Sequence, residues 1–321
     1  MDSQALSDAK RSSKFWFHDG TLIIHAEDTM FRVHSGVLSK HSSFFDGMIG
    51  SASPDAGMQI DGCPVVDVTD PLDEWDMLLS VLYDPLRLLT LDQIGVSERA
   101  IKILRLLLIS TKYEFSSFRA RALHVLESFF PTTLDAAPGL FFPLERPVVA
   151  VLMRLRSSNA SIFLPYFFYR LSRVEEGYLL ELPENMLSWQ DKAVLLAGRL
   201  QVQHHMRLTS FQFLFESKPV PECTCKYSSP RPRFPPIRRD ILNGGGLADM
   251  TGFIGRLGNA GFCESCVRAF QTSHKEGRQA LWDMLPGLFR LGTWEDLRAD
   301  QTADNPPATT EETSTLNTKE K

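Results

Sequence analysis

The sequence predicts an α+β fold for residues 15–130, a helical cluster flanked by a small β-sheet, followed by a mainly α-helical C-terminal region. Three observations predict it. Short runs rich in branched and aromatic residues surround a polar turn near the N-terminus, as in a hairpin. Two long helical patterns follow, the first of them apolar nearly all round. Beyond a stretch of proline and glycine at 131–147, only helical periodicity remains.

Taken in order, residues 1–14 read as a disordered leader. Thr21–His25 and Met30–Val33 form the hairpin around Ala26-Glu27-Asp28-Thr29. Ser42 is placed to cap a short helix carrying Phe44, Phe45, Met48 and Ile49 on one face, with Gly50 at its stop. Pro64–Val68 reads as a strand. Asp70-Pro71 then supplies an N-cap and a first-turn proline for a helix bearing Leu72, Trp75, Leu79 and Leu82, which Asp84-Pro85 ends.

Helix 98–112, with Ile101, Ile103, Leu104, Leu106, Leu107 and Leu108, is expected at the centre. Helix 115–129, striped by Phe115, Phe118, Ala122, Val125, Leu126 and Phe129, is expected to cover it. Residues 131–147 read as the linker between two domains.

In the second half, 148–298, helices are expected at 148–157 and 161–173. A longer one follows a Ser188 N-cap with Asp191 at N3, and carries Leu195, Val202, Met206 and Phe213. The prolines of 217–240 predict an extended crossing. A last helix from Glu264 is expected to stop at Pro286-Gly287, with a Thr293-capped turn after it and a disordered tail at 299–321. No repeat of fixed period is present.

Composition narrows the function classes. Of 321 residues 43% are hydrophobic and 23% charged, the balance of a soluble globular chain. A net charge of -5 supplies no positive field for phosphate backbones, so nucleic acid is not an expected partner. The richest apolar run, Ile101–Ile109, is broken by Lys102 and Arg105 and falls short of the ~18 residues of a membrane span. Met1–Lys14 lacks an apolar secretory core, which leaves the cytoplasm or nucleus as the expected location. Five cysteines are too few, and odd in number, for a disulfide framework.

The line from Phe17 through Asp19 to His25, then Phe31, His34, Val37-Leu38, Ser42 and Phe45, resembles the BTB/POZ family over about 15–130. Leu78–Tyr83 and Leu107–Tyr113 are similar to two further landmarks of that fold. The resemblance implies a non-catalytic protein-interaction module, pairing with itself or with another BTB chain, with Asp19, Phe31, His34, Leu38, Ser42, Phe45 and Tyr83 as its motif residues. Two other uses in the family are a substrate adaptor for a cullin-type ubiquitin ligase and a transcriptional regulator. Cys263–Cys266 and Glu276–Pro286 resemble the C-terminal region of an expanded fungal group of such proteins.

Two departures bear on these uses. Ser35 stands where corepressor-recruiting dimers carry a basic partner for the motif aspartate, and Ser53-Pro54-Asp55 stands where cullin binders carry a hydrophobic-x-Glu element. For Asp19 and His34 a structural role is favoured over a recognition pocket, because buried polar groups normally serve backbone partners.

Cys223-x-Cys225 and Cys263-x-x-Cys266 offer four thiolates for one structural zinc, which would leave no open position for water. The C-x-C spacing and the long insert between the pairs favour buried free thiols instead, and hence no cofactor. Gly252, Gly255 and Gly258, near Asn243–Gly246, read as loop glycines, since no strand precedes them and no Lys-Ser/Thr follows. Arg231, Arg233, Arg238 and Arg239 among prolines read as a solvated linker, and His204-His205 as adjacent residues that point apart. No hydrolase elbow, zinc-protease helix, Walker loop or kinase set is present.

Overall fold

In the computed structural model, the described residues are 9–51, 58–137, 143–157, 159–216, 220–225, 234 and 246–303. They form an α+β architecture around a five-stranded sheet of order β1-β3-β2-β5-β4. Strands β2 (Leu22–Ala26) and β3 (Thr29–Val33) are the expected hairpin, antiparallel with Leu22 opposite Val33. Every residue of β2 is buried, because β3 flanks it on one side and β5 (Cys63–Val68), in parallel, on the other.

Two sheet features depart from the expectation. Lys10–Trp16 is strand β1, parallel to β3, so residues 10–14 are not a leader. Within β1 Phe15 alone is fully buried, so the strand is held by pairing and not by its own pattern. A short β4 (Gln59–Ile60) joins β5 through Asp61-Gly62, both at positive φ (49° and 74°), the pair of left-handed residues that a tight hairpin turn demands.

Helix α1 (Ser35–His41), which residue periodicity did not bound but which the resemblance implies as the first of two helices after the hairpin, precedes α2 (Ser43–Ser51). Ser42 caps α2 as expected, its Oγ accepting from Phe45 N at 3.0 Å and donating to Tyr113 O at 2.6 Å. The predicted four-residue face is corrected. Phe45 is fully buried while Phe44 is 41% exposed, since successive helical side chains point about 100° apart.

Asp70 is likewise not the cap of α3 (Leu72–Tyr83); Pro71 occupies that position. The Asp70 carboxylate is buried and accepts from Lys112 Nζ at 2.7 Å and Tyr113 Oη at 2.6 Å. Burial and this contact push the Tyr113 hydroxyl far above its usual range. Helix α4 (Val96–Lys112) is central as expected and buried over most of its surface, and α5 (Ser116–Leu126) lies on it.

The apolar core does not divide at 131–147. Helix α6 (Arg146–Met153) packs on α4, and one cluster of buried side chains runs from Phe15 to Leu297. Across the break Arg154 grips the buried Glu74 carboxylate with two N–H groups. Helices α7 (Leu164–Leu171) and α8 (Glu176–Glu181) follow, and then α9 (Trp189–Leu208), whose Ser188 cap accepts from Asp191 N at 3.1 Å, as expected. Phe213 is not on α9 but on a separate one-turn helix, Gln212–Phe215, because the chain turns at Thr209.

Helix α10 (Thr251–Gly255) and a following 3-10 turn to Ala260 hold Gly252, Gly255 and Gly258 in helical structure, not in loops. Helix α11 (Glu264–Leu288) runs through Pro286, the expected stop. It lies antiparallel to α9: His205 Nε2 is 3.2 Å from Gly277 O, and Gly198 lies against Phe289. A Cβ on Gly277 would sit 2.5 Å from Ser210 N, so this close approach requires glycine. Past Thr293 the chain forms α12 (Trp294–Ala303) where a short turn and a tail beginning at 299 were expected. Residues 304–321, Ser53-Pro54-Asp55, most of 217–240 with its four arginines, and Asn243–Gly245 lie outside the described residues. No described helix is long and apolar enough to cross a membrane.

Candidate metal centre

The four C-terminal cysteines converge. Helix α11 supplies Cys263 at its N-cap and Cys266 in its first turn. Opposite, the segment 220–225 brings Cys223 and Cys225, with Glu222 in the left-handed region at φ 59°. All four Sγ atoms lie within 4.8 Å of one another, with Cys223 and Cys266 3.3 Å apart and Cys225 and Cys266 3.8 Å apart. None forms a disulfide. A tetrahedral metal with bonds of ~2.3 Å to sulfur sets its thiolates about 3.8 Å from one another, so the donor set matches such an ion in number, type and spacing.

Local structure makes the convergence. Gly261, at φ 90°, closes the 3-10 turn and redirects the chain into α11, a left-handed position that suits glycine. Cys263 N then donates to Cys225 Sγ at 3.0 Å, tying the two half-sites together. The backbone N–H groups of Cys266 and Thr224 draw the Cys263 thiol down to about 5, the effect of a helix N-terminus on a thiolate. Burial first, and then its neighbouring thiols, push Cys266 the other way; burial also raises Cys225. Four sulfurs in contact cannot all be thiolates without a cation between them.

A small apolar core of its own surrounds the cluster. Cys225 and Cys266 are buried with Ile254, Leu257 and Phe270, while Cys223 and Cys263 are half-buried. Phe213 stacks on Phe270 at 4.3 Å, and Phe234 on Phe262 at 4.6 Å. Sequence places Phe213 only on the long helix and does not single out Phe262 or Phe270; their closeness to the C-x-C and C-x-x-C pairs was the available signal. Beside them His274 is wholly buried, held down to about 4 by burial, and its neutral Nε2 accepts from Met250 N at 3.0 Å. That bond anchors the start of α10 to α11. His205 meets Gly277 as described, and among the described residues the group of three or more metal-ligating side chains includes neither His204 nor His205.

The motif residues of the first half occupy two settings. Phe31, Leu38, Ser42 and Phe45 are buried in the core. Asp19, His34 and Tyr83 form a surface chain: His34 Nε2 is 3.2 Å from Asp19 Oδ1, and His34 Nδ1 is 3.0 Å from Tyr83 Oη. Asp19 is 84% exposed and so is not one of the buried polar groups on which the structural expectation leaned; its bond to His34 holds its carboxyl below the usual range. The Ser35 hydroxyl pairs with Thr21 Oγ1 at 2.8 Å.

Comparison of the chain with models of known protein families, with curated proteins and with solved structures finds no significant match.

Proposed function

We propose that the chain is a non-catalytic protein-interaction scaffold, with a BTB/POZ-type module over residues 15–130 and a helical C-terminal region whose end is held by a structural zinc. The observation that carries the reading is the set of four sulfurs within 4.8 Å, from two segments far apart in sequence. Cys223, Cys225, Cys263 and Cys266 would hold the ion, which would supply a cross-link and no chemistry, because four thiolates leave no position for substrate or water. The small apolar core around them is too slight to fix the segment at Val220–Cys225 alone, which is the usual setting for a metal staple.

For the first half, support comes from the order of hairpin, paired helices, strand and helices, and from the burial of Phe31, Leu38, Ser42 and Phe45. Its mechanism is surface burial between proteins, not bond making. Affinity purification of the intact tagged chain tests this half: the account expects stoichiometric protein partners or a second copy of the chain. A monomer that retains no protein at micromolar concentration contradicts it.

A further inference from the structure

We infer that Cys223 and Cys266 are the redox pair of the four-thiol centre: oxidation joins them as a disulfide, which expels the metal yet keeps the segment at Val220–Cys225 tied to α11. The inference rests on the metal reading above and adds a reaction to it.

Geometry favours this pair over Cys225–Cys266, whose sulfurs are 3.8 Å apart. The Cys223 and Cys266 sulfurs are already in contact at 3.3 Å, so closing to a disulfide of ~2.05 Å requires little chain movement. Access sets the order within the pair. Cys223 is half-buried, as is Cys263, whereas Cys266 is buried, so a small oxidant reaches Cys223 before Cys266, which is then the resolving thiol. The fifth cysteine, Cys63, is buried in β5 with its sulfur against Gly20 O, and takes no part.

With hydrogen peroxide as oxidant, the Cys223 thiolate attacks one peroxide oxygen, the O–O bond breaks, and hydroxide leaves, giving the sulfenic acid. The Cys266 thiolate then attacks that sulfur, the S–O bond breaks, and a second hydroxide leaves as the S–S bond forms. The two sulfurs lose two electrons together and the peroxide gains two; solvent protonates both hydroxides. Only Cys225 and Cys263 remain as donors, too few for a closed tetrahedral site. The new bond spans the same 43-residue separation that the metal bridged, so the oxidised region keeps its tether.

The test uses the full chain as purified, with its metal content measured first. Peroxide is titrated in with a chromogenic zinc chelator present, and a non-reducing digest is mapped by mass spectrometry. The expected result is release of about one zinc per chain, in step with a Cys223–Cys266 linked peptide, reversed by dithiothreitol and zinc, with helicity retained. Zinc that stays bound, a Cys263–Cys266 link, or irreversible sulfinic acids in place of a disulfide would overturn the pairing. Protein that carries no zinc overturns the metal reading instead, and the disulfide map of that protein still decides the pairing on its own.

Discussion

The indole Nε1 of Trp294 donates to the carbonyl of Trp282 at 2.7 Å. That carbonyl is the one Pro286, lacking an N–H, cannot bond four residues along α11. The two indoles also stack, with centroids 4.9 Å apart and planes 11° from parallel. A side chain from the next helix thus supplies the donor that proline removes, and α11 continues to Leu288.

Trp294→Phe keeps a ring at this position and deletes the donor. It should cost about 2 kcal/mol, the price of leaving a buried carbonyl without its partner. Urea unfolding of the variant and wild type measures it; equal midpoints would contradict this role.

Tyr83 is the fixed end of the surface chain, since its hydroxyl accepts from His34 N at 3.0 Å as well as meeting the His34 ring. Tyr83→Phe should therefore cost about 1–2 kcal/mol through the orphaned His34 N–H. Asp19→Ala, at the exposed end, should leave the unfolding midpoint unchanged. If Asp19→Ala destabilised the chain as much as Tyr83→Phe, the ranking of the two ends would be wrong.

Glu74 is buried, and burial raises its carboxyl above the usual range although Arg154 pulls the other way. A carboxylate whose folded pKa is raised binds its proton more tightly folded than unfolded. Its contribution to stability therefore grows as pH falls through the folded value and is unfavourable above it. Glu74→Gln removes this compensation, so the variant should lose melting temperature more steeply than wild type between pH 7 and about 4. Parallel melting curves across that range would argue against a raised Glu74.

Much of this was legible in the sequence, wherever a residue's role is set by close neighbours. The Ser188–Asp191 cap, the β2–β3 hairpin and the central position of α4 follow from local pattern and appear as expected. What escaped depends on distant partners. Strand β1 exists because β3 offers it an edge, α11 passes Pro286 because Trp294 is near, and Asp70 left its capping role because Lys112 and Tyr113 claim its carboxylate. Strand β4 is different, since Asp61-Gly62 beside Ile60 and Cys63 was a readable tight-turn signal. Spacing alone named the four cysteines but favoured free thiols, because it cannot tell whether half-sites separated by 37 intervening residues meet; Gly261 and the Cys263–Cys225 contact are what bring them together.

Metal analysis of the intact chain, purified without chelator or added zinc, tests the central claim most directly. The account predicts about one zinc per chain by plasma mass spectrometry, lost when Cys223 and Cys263 are both replaced by serine. A wild-type protein that is folded, reduced and free of zinc would contradict it.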